Sequence, residues 1–488
     1  MAAKKVLIIG GGIIGSAVAW RLAREGAAVT VLERARVGQE ASWAAAGMIA
    51  PQAEAQGAGP FFELCLRARD AVAANIETLR AESGTNPEYD QAGILYVAFN
   101  DGERAELEER GRWQLRAGGA VEELSAEAAR KIEPAISSEI TFALYLPLDR
   151  RTDNRKLTHA YANAAIAKGA SFIEGAAVDA VMVKAGAATG VRLHDGRIHD
   201  ADIVVNAAGA WAGAVRGLEA DRVEVYPVRG QIVCFESRPG LIGPSVFSPR
   251  GYLVPRRDGR ILAGSTMEEA GYNKSVTLAG LAKIVRGAYD MVPSLGAISF
   301  RETWAGLRPA TRDFLPVLGA SPTLGNVFYA TGHFRSGILL SSISGEILAD
   351  LVNGRKPAVD LAPFSPARFT GVAKVKALGL VRDILFRSRI DAVAQALGVE
   401  VAYASDITQA RARALELRPA AVFADLSDAN FPAAATAREI RAAIDGARLI
   451  GFASHVDLKS LGAARDAGFD TTLSRSEFTA RLPELLKG

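Results

Sequence analysis

Three glycines in the run Gly10-Gly11-Gly12-Ile13-Ile14-Gly15, at positions 10, 12 and 15, are spaced to cradle a phosphate. An apolar run at 5–9 precedes them, a helix-periodic run at 14–25 follows, and Glu33 stands 18 positions after Gly15 at the end of a second apolar run, 28–32. Gly10 permits a tight turn, Gly12 lets the backbone approach a pyrophosphate, and Gly15 lets the helix pack closely on the strand. The helix N-terminus offers unpaired N–H groups and a positive dipole end to the phosphates. Glu33, followed by Arg34, is placed to accept hydrogen bonds from ribose hydroxyls. Together these are the complete dinucleotide fingerprint, not a lone glycine motif. Two further stretches carry chemistry. In Ala41-Ser42-Trp43-Ala44-Ala45-Ala46-Gly47-Met48 the small side chains would let backbone approach a flat ring, and Ser42 can bind phosphate. In Thr331-Gly332-His333-Phe334-Arg335-Ser336-Gly337-Ile338-Leu339-Leu340 a strand turns into a helix whose N-terminus would stabilise negative charge on a bound ring.

The elements needed to hold these residues are legible as periodicity. Residues 4–33 predict a β-α-β unit, and 34–55 a loop rich in Ala, Ser and Gly. A long amphipathic helix is predicted over 60–83, with Phe62, Leu66, Ala73 and Ile76 on one side. Strands at 93–99 and 142–146 mix with charged helices at 101–117 and 126–131. A helix at 154–168 and a strand at 171–174 follow, then a hairpin of 178–184 with 190–193 turning on His194-Asp195-Gly196-Arg197. Strands are expected at 202–206, 223–228, 231–236, 251–255 and 260–263, a helix at 278–291, and strand, glycine turn and helix over 326–353. Beyond residue 372 the texture changes. Apolar runs at 376–381, 399–403, 420–424, 448–453 and 471–473 alternate with helical segments at 384–397, 406–417, 434–445, 457–467 and 476–486. This is a (βα)5 pattern, expected for a separate doubly wound parallel domain.

Composition sets outer bounds. With 488 residues, 49% hydrophobic and 23% charged, the chain is long enough for several cores and too apolar for wholesale disorder. Glycine, at 48 residues, suits turn-rich α/β layers. The two cysteines, Cys65 and Cys234, form no CxxC, so neither a disulfide framework nor a structural zinc site is expected. A net charge of +3 without a basic run argues against nucleic-acid binding. The start, Met-Ala-Ala-Lys-Lys, leads straight into a strand, and no uncharged apolar window spans a bilayer, so a cytoplasmic protein with no membrane segment is expected.

The fingerprint does not choose between FAD and NAD. Val204-Val205-Asn206-Ala207-Ala208-Gly209-Ala210-Trp211, behind a hairpin, resembles the second dinucleotide motif of FAD proteins, and there is no second GxGxxG for a separate NAD(P) domain. Further segments follow in one order: Gly251-Tyr252-Leu253-Val254-Pro255-Arg256, Gly264-Ser265-Thr266-Met267, Trp304-Ala305-Gly306-Leu307-Arg308-Pro309 and Gly332-His333-Phe334-Arg335-Ser336-Gly337-Ile338-Leu339. With the fingerprint and the Ala-Ala-Ala-Gly-Met segment, the set resembles the glycine oxidase branch of the D-amino-acid oxidase superfamily over about residues 4–369. The resemblance implies a Rossmann-type FAD-binding domain (about 1–80, 150–220 and 320–355) interleaved with an antiparallel-sheet substrate domain (about 85–148 and 221–320), together 1–369. It further implies a carboxylate-binding arginine at Arg308, a tyrosine partner at Tyr252, a second active-site arginine at Arg335, a pocket-lining Met267, and a backbone contact to FAD at Val178. Gly10, Gly12, Ile13, Ile14, Gly15, Glu33, Arg34, Ala41, Ser42, Ala46, Gly47, Met48, Ala208, Gly209, His333, Phe334, Arg335, Ser336, Gly337, Ile338 and Leu339 make up the rest of the expected cofactor site. With no cysteine near 305–335, FAD is expected to be non-covalent.

The activity so implied is oxidation of glycine, sarcosine or small D-amino acids by O2, feeding iminoglycine to the thiazole-synthesis enzymes of the thiamine pathway. Two alternatives stay open: a D-amino-acid dehydrogenase passing electrons to a quinone, and a flavin-based redox sensor. The C-terminal 372–488 segment resembles a response-regulator receiver, with Asp425 ending its third strand and Ser454 its fourth. It departs from that pattern where the acidic pair is reduced to Asp383 and where Ser474-Arg475 replaces the lysine. It is therefore read as a receiver-like contact module of unknown partner. A homo-oligomer is expected.

Overall fold

The computed structural model describes residues 3–369, 375–444, 446–454 and 457–487. The chain divides into two compact units, Met1–Thr370 and Gly371–Gly488. The expected start of the second domain at 372, and position 445 of the expected helix 434–445, lie outside the described residues.

In the first unit, a six-stranded sheet runs in the order Val317–Ala320, Val327–Thr331, Ile203–Asn206, Lys5–Ile9, Ala28–Leu32, Ser171–Ile173. All neighbours are parallel except the first pair, which is antiparallel. Its central strands, Lys5–Ile9 and Ile203–Asn206, are near-continuous Val, Ile and Leu because both faces are covered. Helices Ile13–Arg24, Pro60–Ser83, Asn154–Ala167 and Gly337–Val352 contribute to one core with Trp20, Leu22, Tyr161 and Leu340 fully buried. The helix at Pro60–Ser83 buries Phe62, Cys65, Ala68, Val72, Ile76 and Leu79. Expected Ala73 is instead exposed and Leu66 only half-buried, because the buried stripe follows the i, i+3, i+4 rows set by the neighbouring helices.

The second sheet has eight strands in the order Ser299–Ala310, Tyr226–Glu236, Arg260–Gly264, Gly251–Pro255, Ser245–Ser248, Ile94–Ala98, Phe142–Leu146, Glu122–Ser125. The strands expected at 223–228 and 231–236 are one, Tyr226–Glu236, paired along its length with a twelve-residue strand at Ser299–Ala310 that periodicity did not show. The expected hairpin is a three-stranded meander, Val178–Lys184, Ala187–Leu193 and Ile198–Asp200. Its first turn lies at Ala185 and Gly186, both at positive φ (50° and 77°) as a two-residue hairpin loop requires. The 194–197 turn joins the second and third strands instead. The 34–55 stretch is not wholly loop: it holds short helices Ala41–Ala44 and Pro51–Glu54 and a strand, Met48–Ile49.

The second unit is a five-stranded sheet, all parallel, ordered Glu400–Tyr403, Val375–Leu380, Ala421–Asp425, Arg448–Ala453, Thr471–Ser474. Five helices alternate with the strands. It has its own cores, one around Val422, Ala424 and Leu449 and one around Phe423, Phe452 and Phe478. Among the described residues, no helix is long and apolar enough to cross a membrane.

Candidate active site

The glycine cradle forms where Lys5–Ile9 turns into the helix Ile13–Arg24. Gly10 sits at φ 104°, and a β-carbon there would fall 2.5 Å from the Ala207 carbonyl oxygen; one on Gly15 would fall 2.0 Å from the Gly10 oxygen. These two glycines therefore make the turn and the packing, and Gly12 is left to face the cavity. Glu33, buried, accepts from the Gly11 N–H at 2.8 Å and the Ala35 N–H at 2.9 Å. Ser42 Oγ accepts from the Ile13 N–H at 2.9 Å. The loop carrying Ser42 is fixed from behind by a buried polar chain. Asn154 Nδ2 donates to the carbonyls of Ser42 (2.7 Å) and Trp43 (3.1 Å), and Arg256 Nη2 donates to Asn154 Oδ1 (2.6 Å). Burial of Arg256 presses its pKa down to about 10.

These elements open on one cavity with an empty volume of about 940 Å³ including its mouth. Gly12, Ile13, Ile14, Ala41, Ser42, Ala46, Met48, Gly209, His333, Phe334, Gly337 and Ile338 line it, together with Tyr252, Arg308 and Arg335. A smaller adjoining cleft is lined by Gly47, Ser336 and Leu339. The helices Ile13–Arg24 and Gly337–Val352 both begin here; neither N-cap residue, Gly12 nor Ser336, caps its own helix, and in the first the Ile13 N–H is taken by Ser42 Oγ. The remaining first-turn amides of these two helices would be available to a diphosphate or ring bound in this cavity.

The substrate sheet supplies the opposite wall. Arg308 lies on Ser299–Ala310 and Tyr252 on Gly251–Pro255. Arg308 Nη2 donates to Ser265 Oγ at 2.7 Å and Nη1 to the Thr266 carbonyl at 3.1 Å. Both acceptors are neutral, and among the described residues no carboxylate lies within ion-pair distance of this guanidinium. Burial lowers the Arg308 pKa and raises that of Tyr252, the neighbouring tyrosine and arginine each opposing the other's shift. Arg335 pairs with Glu54, Nη2 to Oε2 at 2.5 Å. His333 Nε2 lies 2.9 Å from Ser344 Oγ, and burial holds its pKa near about 3, so the imidazole is neutral.

Some expected residues lie elsewhere. Met267 is not among the lining residues; the Ser265 hydroxyl and Thr266 carbonyl that hold Arg308 end the wall one step earlier. Ala207 and Gly209 line the cavity, whereas the Ala208 amide turns back to Asn206 Oδ1 at 3.2 Å. Arg34 stacks over Trp211, 3.5 Å from the ring centroid, and pairs with Glu40. Val178 lies beyond the cavity, two residues after Ala176, whose amide bonds the Glu33 carbonyl at 2.8 Å. Sequence reading missed Glu54, Ser265 as the arginine's partner, and Gly230. Glu54 did carry a signal, being the one charged side chain between positions 41 and 62. A lone charge in an apolar stretch demands a partner.

A nucleotide cradle on a mostly parallel sheet, facing a half-buried arginine and a buried tyrosine on a second sheet that is antiparallel except where Ser245–Ser248 pairs in parallel with Ile94–Ala98, defines a flavin-dependent oxidoreductase. The chain belongs to the DAO family, FAD dependent oxidoreductase, which it matches over residues 5–351. It is 33% identical over 373 residues to the glycine oxidase of Geobacillus kaustophilus, covering 76% of this chain and 98% of that protein. It is 35% identical over 371 residues to the bifunctional protein ThiO/ThiG of Synechocystis, covering 75% of this chain and 54% of that one. The crystal structure of glycine oxidase from Bacillus cereus superposes with a TM-score of 0.70 at 34% identity, covering 74% of this chain and 98% of that one. FAD is the cofactor. The residues present fit it: Gly12 lines the cavity without a side chain, Glu33 stands just past the end of the second strand, and two helices begin at the cavity.

Proposed function

We propose that this protein oxidises glycine and similar small amines (sarcosine, small D-amino acids) in the cytoplasm. The products are an imine, hydrolysed to the 2-oxo acid and ammonia, and hydrogen peroxide from O2. The observation that carries the reading is the Arg308 guanidinium, half-buried beside buried Tyr252, with neutral acceptors among the described residues. Such a fork clamps one carboxylate bidentately. Tyr252 adds a phenolic donor to the same carboxylate. Ser265 and Thr266 keep the fork in one orientation, so little rotamer freedom is lost on binding. Ile232, Ala44 and Leu307 keep water from the reacting carbon. Among the described residues the two candidate bases of the cavity wall are both engaged: His333 faces Ser344 and is barely basic, and the Glu54 carboxylate is paired with Arg335. The amine must therefore bind in its neutral form. Bound FAD supplies the two-electron acceptor that O2 reoxidises. The likeness to a bifunctional ThiO/ThiG protein supports a role in supplying iminoglycine for thiazole synthesis.

For the C-terminal unit we infer a receiver-like docking module. Its strand order suits that fold, but Asp425, at the end of the third strand, is ion-paired with Arg475 at 2.5 Å. Asp383 caps the next helix through the Phe386 amide at 3.0 Å. An arginine seated on the carboxylate leaves it poorly placed to accept a phosphoryl group.

Anaerobic mixing with glycine, sarcosine, D-alanine and D-proline should bleach the flavin absorbance, and readmitted air should restore it with peroxide released. Failure of every member of the panel overturns the reading. Bleaching that only a quinone reverses would make the protein a dehydrogenase.

A further inference from the structure

The cavity wall carries three charged side chains: Arg308, Arg335 and Glu54. Arg308 has neutral partners, whereas Arg335 is matched by the Glu54 carboxylate at 2.5 Å. The sum is one positive charge, enough for one carboxylate.

Glu54 does not owe its position to Arg335. It ends the short helix Pro51–Glu54, which is anchored from the far side. Buried Asp149 accepts from the amides of Gln52 (3.3 Å) and Ala53 (2.9 Å). Arg110 Nη1 donates to the carbonyls of Gln52 (3.1 Å) and Ala55 (2.7 Å), which bracket Glu54. The Glu54 side chain is 9% exposed and that of Arg335 23%, so the pair is shielded from water on the acid's side. A buried carboxylate held by its own scaffold is a fixed negative charge, not a mobile counter-ion.

We propose that Glu54, by neutralising Arg335 in the cavity wall, restricts the enzyme to amines that carry a single carboxylate. This rests on the reading of Arg308 as the carboxylate clamp. A substrate with a second carboxylate would meet Glu54 at the position where it needs a cation. Discrimination then comes from the repulsive group as much as from the attractive one. Without the Glu54 charge, Arg308 and Arg335 would present two forks to one small molecule, a pattern that matches iminodiacetate.

The test uses holoenzyme and two unreactive probes read by flavin difference spectra: methoxyacetate, with one carboxylate, and diglycolate, with two. Wild type should favour methoxyacetate. Glu54→Gln should tighten diglycolate relative to methoxyacetate by about tenfold or more. In the double variant Glu54→Gln/Arg335→Gln that gain should disappear. An unchanged ratio in Glu54→Gln, or a gain that survives in the double variant, overturns the proposal. Should Glu54→Gln fail to hold flavin, Arg335→Gln decides. It leaves Glu54 unmatched, so methoxyacetate should weaken about tenfold; unchanged binding overturns the proposal. The two readings fail separately. If no amine of the substrate panel bleaches wild type while the probes follow this pattern, the proposed reaction is wrong and the charge selection stands.

Discussion

A β-carbon added to Gly230 would lie 2.1 Å from Nη1 of Arg308 and 2.3 Å from its Cζ. The two residues face each other on paired strands, where Val228 is the register partner of Arg308 and Gly230 that of Gly306. The arginine folds over bare backbone, and the glycine is what lets it lie flat. Gly230→Ala should push the guanidinium aside. The clash falls on the far end of a flexible side chain, so the fold should tolerate it. Expected is a fall in kcat/KM for glycine of about ten- to a hundredfold with flavin content and Tm little changed. Steady-state kinetics beside a melting curve check this; unchanged kinetics would mean the fork is not used.

Arg308→Ala removes the cavity cation that, among the described residues, has no carboxylate partner. Leaving a substrate carboxylate unpaired in a dry site costs about 3–5 kcal/mol. That corresponds to roughly two to three and a half decades in kcat/KM. Arg308→Lys should also be poor, since an ammonium cannot grip the Ser265 hydroxyl, the Thr266 carbonyl and a carboxylate together. Near-normal turnover of glycine by either variant removes Arg308 from the site.

Glu33 holds two backbone amides, Gly11 and Ala35, while its position suits a ribose. Glu33→Ala leaves those buried donors without acceptors, at about 1–3 kcal/mol. FAD affinity should fall about ten- to a hundredfold, seen as flavin fluorescence appearing on dilution. Glu33→Gln, which keeps one acceptor oxygen, should be intermediate.

Turnover should rise toward alkaline pH, because the substrate ammonium must lose its proton before electrons can leave Cα. In the cavity wall His333, near about 3, is already neutral and adds no titration of its own. Burial pushes Asp149, behind the Pro51–Glu54 helix, up to about 7, which can add only a shallow step near neutrality to the rising profile. Tyr252 shifts the other way from His333. Burial raises its pKa, so the phenol keeps its donor proton above about pH 10, where a free tyrosine ionises. A kcat/KM profile should climb and level off, with no descending limb below about pH 10. A bell centred near neutrality would count against this arrangement.

A chain ending at Phe369 should fold, retain FAD and oxidise glycine, with the flavin released by acid precipitation because neither buried cysteine lines the cavity. The end point matters. Phe364 and Phe369 are buried in the first unit, and Arg368 makes a buried ion pair with Asp313 at 2.8 Å. Ending at Asp360 instead would strand Asp313 without its partner, a loss of about 3–5 kcal/mol. Comparing the two truncations by melting temperature and flavin content tests the placement of the boundary. Loss of flavin in the longer one would refute it.

Local sequence determined much of this protein. The cradle at Gly10–Gly15 with Glu33 is legible because its parts are close in the chain, and each answers a backbone requirement: a positive φ, a close approach, a helix start. The parallel strands and helices of the second unit are legible for a similar reason, since buried parallel strands are short apolar runs between amphipathic helices. The positions of Tyr252, Arg308 and Arg335 followed from resemblance, not from periodicity.

Tertiary structure alone decided what each of those side chains touches. The strand Ser299–Ala310 has no clean alternation, because it pairs on one side only and borders a cavity where polar and apolar residues meet. Arg308 finds its acceptors 42 and 43 positions away in Thr266 and Ser265, and Arg335 finds Glu54 across 281 positions. Nothing in local spacing distinguishes the arginine that is matched from the one that is left with neutral partners. That difference arises only when two sheets, assembled from interleaved segments, close on one space, and there low dielectric makes an unmatched charge the feature that selects the ligand.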